Sequence, residues 1–165
     1  PIQYPLAIIC LLLFGCGQTQ VDKQFYDNGK LMSDTPFSNG KRNGIEKKYH
    51  TNGKLSCETP YVNDNITGTE KIYDYTGTLF CEITYANDEL NGIEKDYSNG
   101  KLQREIPYSH NLVNWTMHTS HDDGTLADSP QFINGKRNGT EAPFYAPGWV
   151  SCQIRYNSDT VVSKK

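Results

Sequence analysis

Apolar residues return along this chain at a fixed beat. Leu31, Leu55, Leu79, Leu102, Leu126 and Val150 are separated by 24, 24, 23, 24 and 24 residues. An aromatic stands six residues after each: Phe37, Tyr61, Tyr85, Tyr108, Phe132 and Tyr156. Seven residues further come Gly44, Gly68, Gly92, Trp115 and Gly139, then Glu46, Glu70, Glu94, Met117 and Glu141, then Tyr49, Tyr73, Tyr97, Ser120 and Phe144. Such a period marks a repeat architecture, in which each unit is too small to bury a face alone and stacks on its neighbours.

Each unit reads as two short strands. Leu and aromatic at even spacing share a face of the first, and Ile45 and Tyr49 share a face of the second. The expected fold class is all-β: an open antiparallel β-meander of about six units, in one single-layer twisted sheet of about a dozen strands. Register depends on the turns. A three-residue loop, Ser38-Asn39-Gly40, with Gly40 in a G1 bulge, would pair Ser33 with Ile45 and bring all the apolar positions onto one face. A two-residue loop would pair Phe37 with Arg42 and send Ile45 to the other side. Between units, Asn28-Gly29 and Asn99-Gly100 read as two-residue loops that set Tyr26 opposite Leu31 and Tyr97 opposite Leu102. Thr51-Asn52-Gly53, Tyr75-Thr76-Gly77, Asp122-Asp123-Gly124 and Ala146-Pro147-Gly148 are one residue longer. Glycine at the Gly44 position is expected to leave room for a neighbouring aromatic ring. Trp115 takes that place in the fifth unit, and with Met117 and Ser120 it marks 109–121 as the irregular part of the array. A large side chain at a break is expected to be packed, so that Trp115→Gly would destabilise.

Composition narrows the function. Net charge is −3, without the basic excess of a nucleic-acid binder. Gly 14 and Tyr 11 suit a turn-rich β protein with a thin core. The five cysteines include no CxxC pair, which leaves a zinc site without sequence support, and no other cofactor is indicated. Cys57, Cys81 and Cys152 fall at one repeat position, on strands separated by an intervening strand. The Cys57 and Cys81 backbones would lie about 9.6 Å apart, beyond the reach of a disulfide, Cys152 is farther still, and free inward thiols are expected.

Pro5 to Phe14 is an apolar run of signal-peptide length, too short for a spanning helix. It ends in Leu13-Phe14-Gly15-Cys16, which resembles a bacterial lipobox with Cys16 as the lipidated residue. The expected organisation is 1–16 signal, 17–24 tether, 25–157 repeats and 158–165 tail. The expected location is a bacterial cell envelope, with membrane contact through the lipid anchor. An ordinary secretory signal cleaved nearby is the alternative.

The motifs Phe37-Ser-Asn-Gly-Lys-Arg-Asn-Gly44, Phe132-Ile-Asn-Gly-Lys-Arg-Asn-Gly139, Tyr26-Asp-Asn-Gly-Lys-Leu31 and Tyr97-Ser-Asn-Gly-Lys-Leu102 resemble MORN repeats of the variant type often labelled YwqK-family antitoxin. The resemblance implies an open β-sheet array with binding or scaffolding roles and no catalytic residues. Joined to the lipobox, it leads to the expectation of a non-catalytic, lipid-anchored binding or scaffold protein with a protein partner. An antitoxin or immunity protein neutralising a cognate toxin is the second reading.

The candidate binding face is the aromatic stripe: Tyr49, Tyr61, Tyr73, Tyr85, Tyr97, Tyr108 and Trp115. Core and partner groove both remain open for it, since exposed aromatic patches mark interaction sites. Glu46, Glu70, Glu94 and Glu141 fall on the face opposite Tyr49, where a solvated row is expected. His50, His110, His118 and His121 are expected not to recur at one repeat position. His118, His121 and Asp123 are the only candidates for a hydrolase, and they lack a nucleophile context. Asn63-Asp64 reads as a turn, without the ligand spacing of a calcium loop. Three Asn-x-Thr sequons, at Asn65, Asn114 and Asn138, fit Asn-rich turns.

Overall fold

The computed structural model describes residues 19–145, 149–150 and 152–164. The described residues form strands and turns, with no helix. A 14-stranded sheet runs in chain order from Thr19–Phe25 through Leu31–Ser38, Gly44–Tyr49, Leu55–Val62, Gly68–Tyr73, Leu79–Ala86, Gly92–Ser98, Lys101–Ser109 and His118–Ser120 to Leu126–Asp128, with short strands flanking it. All its long pairings are antiparallel neighbours, so the fold is the expected all-β open meander. Smaller sheets continue the pattern: Trp115–Thr116 with Gln131–Ile133, and Gly139–Glu141 with Ile154–Asn157.

Strand structure starts at Thr19, inside the stretch expected to be a tether. It also takes in Thr160–Lys164, expected to be tail, which pairs with Ile154–Asn157. The turn Ser158-Asp159 followed by β-branched Thr160, Val161 and Val162 makes a complete hairpin there. The apolar run and Cys16 lie outside the described residues, as does the turn at 146–148.

The turn inside each unit differs from expectation, and it reorders the faces. Asn39-Gly40 is a two-residue loop with φ of 53° and 75°, pairing Ser38 with Lys41 and Phe37 with Arg42. Asn63-Asp64, Asn87-Asp88, His110-Asn111, Asn134-Gly135 and Ser158-Asp159 repeat the double positive φ. This is the type I′ hairpin turn, whose twist matches the strands and whose left-handed positions suit Asn, Asp and Gly. Past the turn the strand bulges at Asn43-Gly44, and Ser33 pairs with Lys48 instead of Ile45. Glu46 therefore sits opposite Thr59, and Gly44 opposite Tyr61, while Ile45 points with Pro60 to the other side. Gly44 has φ 115°, and a Cβ there would lie 3.0 Å from the Pro36 ring. The glycine makes room for this proline, not for an aromatic.

Turns between units mostly follow expectation. Thr51-Asn52-Gly53, Tyr75-Thr76-Gly77 and Asp122-Asp123-Gly124 are three-residue loops; in the first, the His50 N–H donates to the Lys54 carbonyl and Gly53 N–H to the His50 carbonyl. Asn99-Gly100 is a two-residue loop with Tyr97 opposite Leu102. At the first turn the loop is Asp27-Asn28-Gly29: Tyr26 faces Lys30, and Phe25 pairs with Leu31. The Asn28 carboxamide oxygen, accepting from the Lys30 N–H at 3.0 Å, holds this longer loop.

Both margins of the array are ladders of stacked turns. On one, the Asp64 carboxylate accepts from Arg42 N–H at 2.8 Å, Asp88 from Ile66 at 2.6 Å, Asn111 from Leu90 at 2.8 Å and Asp159 from Arg137 at 2.7 Å. On the other, Lys30 donates to the Asn52 carbonyl at 2.7 Å and Asn52 to the Tyr75 carbonyl at 2.7 Å. Each turn thus satisfies backbone groups of its neighbour, the accounting that an isolated hairpin cannot close.

Candidate binding surface

The aromatic stripe divides between the two faces. Tyr61, Tyr85 and Tyr108 pair with Gly44, Gly68 and Gly92 on an inner face, which also holds the glutamates at Glu46, Glu70 and Glu94. Tyr49, Tyr73 and Tyr97 alternate onto the outer face. Tyr73 Oη donates to Glu58 at 3.0 Å and Tyr97 Oη to Glu82 at 2.8 Å, and both carboxylates belong to that outer face. Tyr49 is half-buried, and its carbonyl accepts from Tyr26 Oη at 2.6 Å. A bulge at each unit joint, between Lys48 and Tyr49 or Ile72 and Tyr73, accompanies the split.

The inner face is the crowded one, and its glutamates are buried or half-buried rather than a solvated row. Glu46 is 8% exposed and Glu141 7%. Thr35 Oγ1 donates to Glu46 at 2.9 Å and Thr59 Oγ1 to Glu70 at 2.7 Å. The second Glu46 oxygen has no hydrogen-bond donor, though Lys48 Nζ lies 3.3 Å away. Arg42 covers the Tyr61 ring at 4.0 Å. Burial raises the Tyr61 hydroxyl, reinforced by the Glu46 charge and opposed by Arg42. Glu141 is likewise raised by burial and by Asp128, against the pull of Arg137 at 2.9 Å. The inner row is a polar core in which threonine hydroxyls donate to the glutamates, with the second Glu46 oxygen left to the nearby Lys48 charge.

Cys57, Cys81 and Cys152 form no disulfide. Cys57 and Cys81 face inward with the glutamates. Cys81 lies with Glu94 and Asp96 such that their ligand atoms come within 4.8 Å of one another, a cluster drawn from two strands and invisible as a linear motif. Arg104 grips Asp96 at 2.5 and 2.7 Å, which already supplies the positive charge that a cation would bring. Burial, a hydrogen bond to Asp96 and its charge push the Cys81 thiol up to about 12, an inert thiol.

The outer face carries a feature that sequence reading missed. Lys23, Asp34, Lys47, Glu58, Lys71, Glu82, Lys95, Glu105 and His118 lie directly opposite one another in turn across successive strands. Charge alternates along the row from Lys23 to Glu105. Ion pairs close it at 2.8 Å for Lys23–Asp34, 3.6 Å for Lys47–Glu58, 3.9 Å for Lys71–Glu82 and 3.7 Å for Lys95–Glu105. The signal was present as intervals alternating mainly between 11 and 13 residues, too far apart to be seen without the register. Beside the row stand Ile45, Val62 and Ile93, 52%, 48% and 45% exposed. A shallow polar cleft of 550 Å³ opens among Thr69, Lys71, Glu82, Thr84, Ile93 and Lys95.

Trp115 is 60% exposed, contrary to the packed side chain expected of it. Its φ is 70°, at the position where the other units place glycine in the left-handed region. It pairs with Phe132, and Asn114 and Asn138, from two of the sequons, flank the same cleft of 420 Å³.

The proposed hydrolase residues do not converge. His121 Nε2 lies 3.1 Å from the Phe144 carbonyl, just as His50 Nε2 lies 3.1 Å from that of Tyr73. These two histidines do share one repeat position, in the stacked turns. Asp123 accepts from the Thr125 N–H and hydroxyl, and exposed His118 ends the charge row.

Stacked hairpins with an alternating charged outer face and a polar inner row define an open-sheet repeat protein. The MORN repeat variant family matches residues 23–39, 42–63, 66–87 and 90–110. The chain thus carries four MORN repeats of the variant type, and the same strand geometry continues beyond the last of them. Repeats of this kind generally serve binding and scaffolding rather than catalysis. No curated protein matches the chain. No helix among the described residues is long and apolar enough to cross a membrane.

Proposed function

We propose that this protein is a non-catalytic MORN-repeat scaffold, held at a bacterial envelope through a lipidated Cys16, that presents its outer face to a protein partner. The observation that carries the reading is the outer face itself. Ile45, Val62 and Ile93 stay exposed along a row of alternating charge, apolar side chains set in a polar surface as interfaces use them. Regular charge alternation across the strands supplies electrostatic register for a complementary surface.

The anchor and the face are tested separately. Cys16→Ala should leave unprocessed precursor and move the protein out of the membrane fraction; unchanged processing removes the anchor. Cross-linking from the outer face should capture one protein at a fixed ratio, and the exposed-site pair Ile45→Asp with Ile93→Asp should abolish the capture. Retention of the partner by that variant rejects the outer face as the interface. Capture of a toxin encoded beside this gene, with rescue from it on co-expression, would favour the antitoxin reading.

A further inference from the structure

We propose that the cleft at Trp115 is a second binding site, one that takes a neutral carbohydrate. The first observation is backbone geometry. A bulky side chain at φ 70° is a rare outlier, and here it stands where glycine serves the neighbouring units. A strained residue that is also 60% exposed earns no packing in return, and such outliers cluster at ligand-binding positions.

The second observation is the chemistry of the walls. Asn114, Thr116, Gln131 and Asn138 line the cleft together with Trp115, and Phe132 and Ile133 are its other apolar walls. No charged side chain lines this cleft. The other described clefts carry charge: Lys71, Glu82 and Lys95 in one, Arg155 in two more. Among the described residues, no protein hydrogen bond engages the Gln131 or Asn138 carboxamides or the Thr116 hydroxyl. The carboxamides offer donors and acceptors at once, matching hydroxyl groups that are themselves both.

A pyranose ring has an apolar C–H face and an equatorial rim of hydroxyls. A flat exposed indole fits the first, and uncharged amides fit the second. An anionic sugar finds no cation in this cleft, and a peptide strand finds no vacant ladder, because Trp115 and Thr116 already pair with Phe132 and Gln131. The site lies in the irregular fifth unit, two strands beyond Ile93, which pairs with Pro107 while the Pro107 carbonyl accepts from Asn114 N–H, and none of its residues carries the outer-face reading.

The test uses the full chain with Trp149→Phe, which leaves Trp115 the only tryptophan. A glycan array of neutral and charged oligosaccharides selects the probe, and titration of the array-positive neutral oligosaccharide reads indole fluorescence. The expected result is saturable binding to neutral glycans with a change in Trp115 emission. Asn138→Ala and Gln131→Ala should each weaken it. In the otherwise native chain, Trp115→Gly, which keeps the fold, should reduce affinity roughly tenfold or more on the array, the scale of losing an aromatic anchor. Absence of any neutral-glycan signal, binding confined to charged glycans, or full affinity in Trp115→Gly each overturns the proposal. Glycan binding with no captured protein would reject the scaffold reading alone, and capture without glycan binding would reject this site alone.

Discussion

At the scale of the residue, Trp115 shows how one position inverts an expectation. Packing predicts a loss when a large side chain is removed. Here the side chain is mostly in solvent and its backbone sits at φ 70°. Relief of left-handed strain is worth about 1–3 kcal/mol, against about 0.5–1 kcal/mol for the extra freedom of glycine in the unfolded chain. Trp115→Gly should therefore stabilise, by about 1 kcal/mol, read as a rise in Tm and in the urea midpoint. A fall in Tm would mean that the indole is packed after all. Glycine at the same position of a regular unit is constrained doubly. Gly92 has φ 138°, and a Cβ there would lie 2.7 Å from Thr84 Cγ2. Gly92→Ala should cost about 2–3 kcal/mol, from the backbone and the collision together. Gly100→Ala, at φ 74° with nothing within 4 Å, should cost about 1 kcal/mol. Equal losses in urea denaturation would show that the approach of Thr84 is immaterial.

At the scale of the element, two hairpins join the one before them through a tyrosine, Tyr73 to Glu58 and Tyr97 to Glu82. Burial first, then the hydrogen bond to Glu58, pushes the Tyr73 hydroxyl up to about 12, and burial with Glu82 does the same to Tyr97. A phenol whose pKa is raised on folding stabilises fully below its unfolded value near 10, and this stability is lost as pH rises towards 12. Thermal stability should stay level from pH 7 to 9 as far as these groups decide it, then fall between about 10 and 12. In Tyr73→Phe with Tyr97→Phe the fall in that window should be shallower, although the starting Tm is lower. An identical slope would show that neither phenol is responsible.

At the scale of the whole molecule, the alternating row couples successive units electrostatically. Lys71 lies between Glu58 and Glu82, with Nζ 3.9 Å from the latter. Lys71→Glu would place three carboxylates in sequence. Directly opposed cross-strand pairs contribute about 0.2–1 kcal/mol each, so changing two of them from attraction to repulsion should cost about 1–2 kcal/mol at low salt. Salt separates the electrostatic part: raising NaCl to about 1 M shortens the Debye length to about 3 Å, which should recover stability in Lys71→Glu and leave the native chain unchanged or slightly weaker. Parallel salt responses in the two proteins would show that the row adds no coupling. The stacked turns at both margins add the backbone part, since Asp64, Asp88 and Asp159 each satisfy an N–H of the unit before.

Length of the period, two strands per unit, the all-β class and the location of the irregular unit were legible in the residues, because the spacing of leucine, aromatic and glycine follows directly from the pitch of the repeat. Which face each residue occupies was not. Phe37-Ser-Asn-Gly-Lys admits a two-residue or a three-residue turn, and the side-chain period of two makes a single residue decisive. The I′ turn at Asn39-Gly40 followed by the bulge at Gly44 turned Glu46 inward and Ile45 outward, and it split the tyrosines between faces. Tertiary structure alone also made the charge row, whose members are neighbours only once eight pairings are in register, and it alone exposed Trp115. The sequence determined by itself that hairpins would stack; turn geometry decided what they present to a partner, since a local backbone choice of about one residue outweighs any preference that the side chains express.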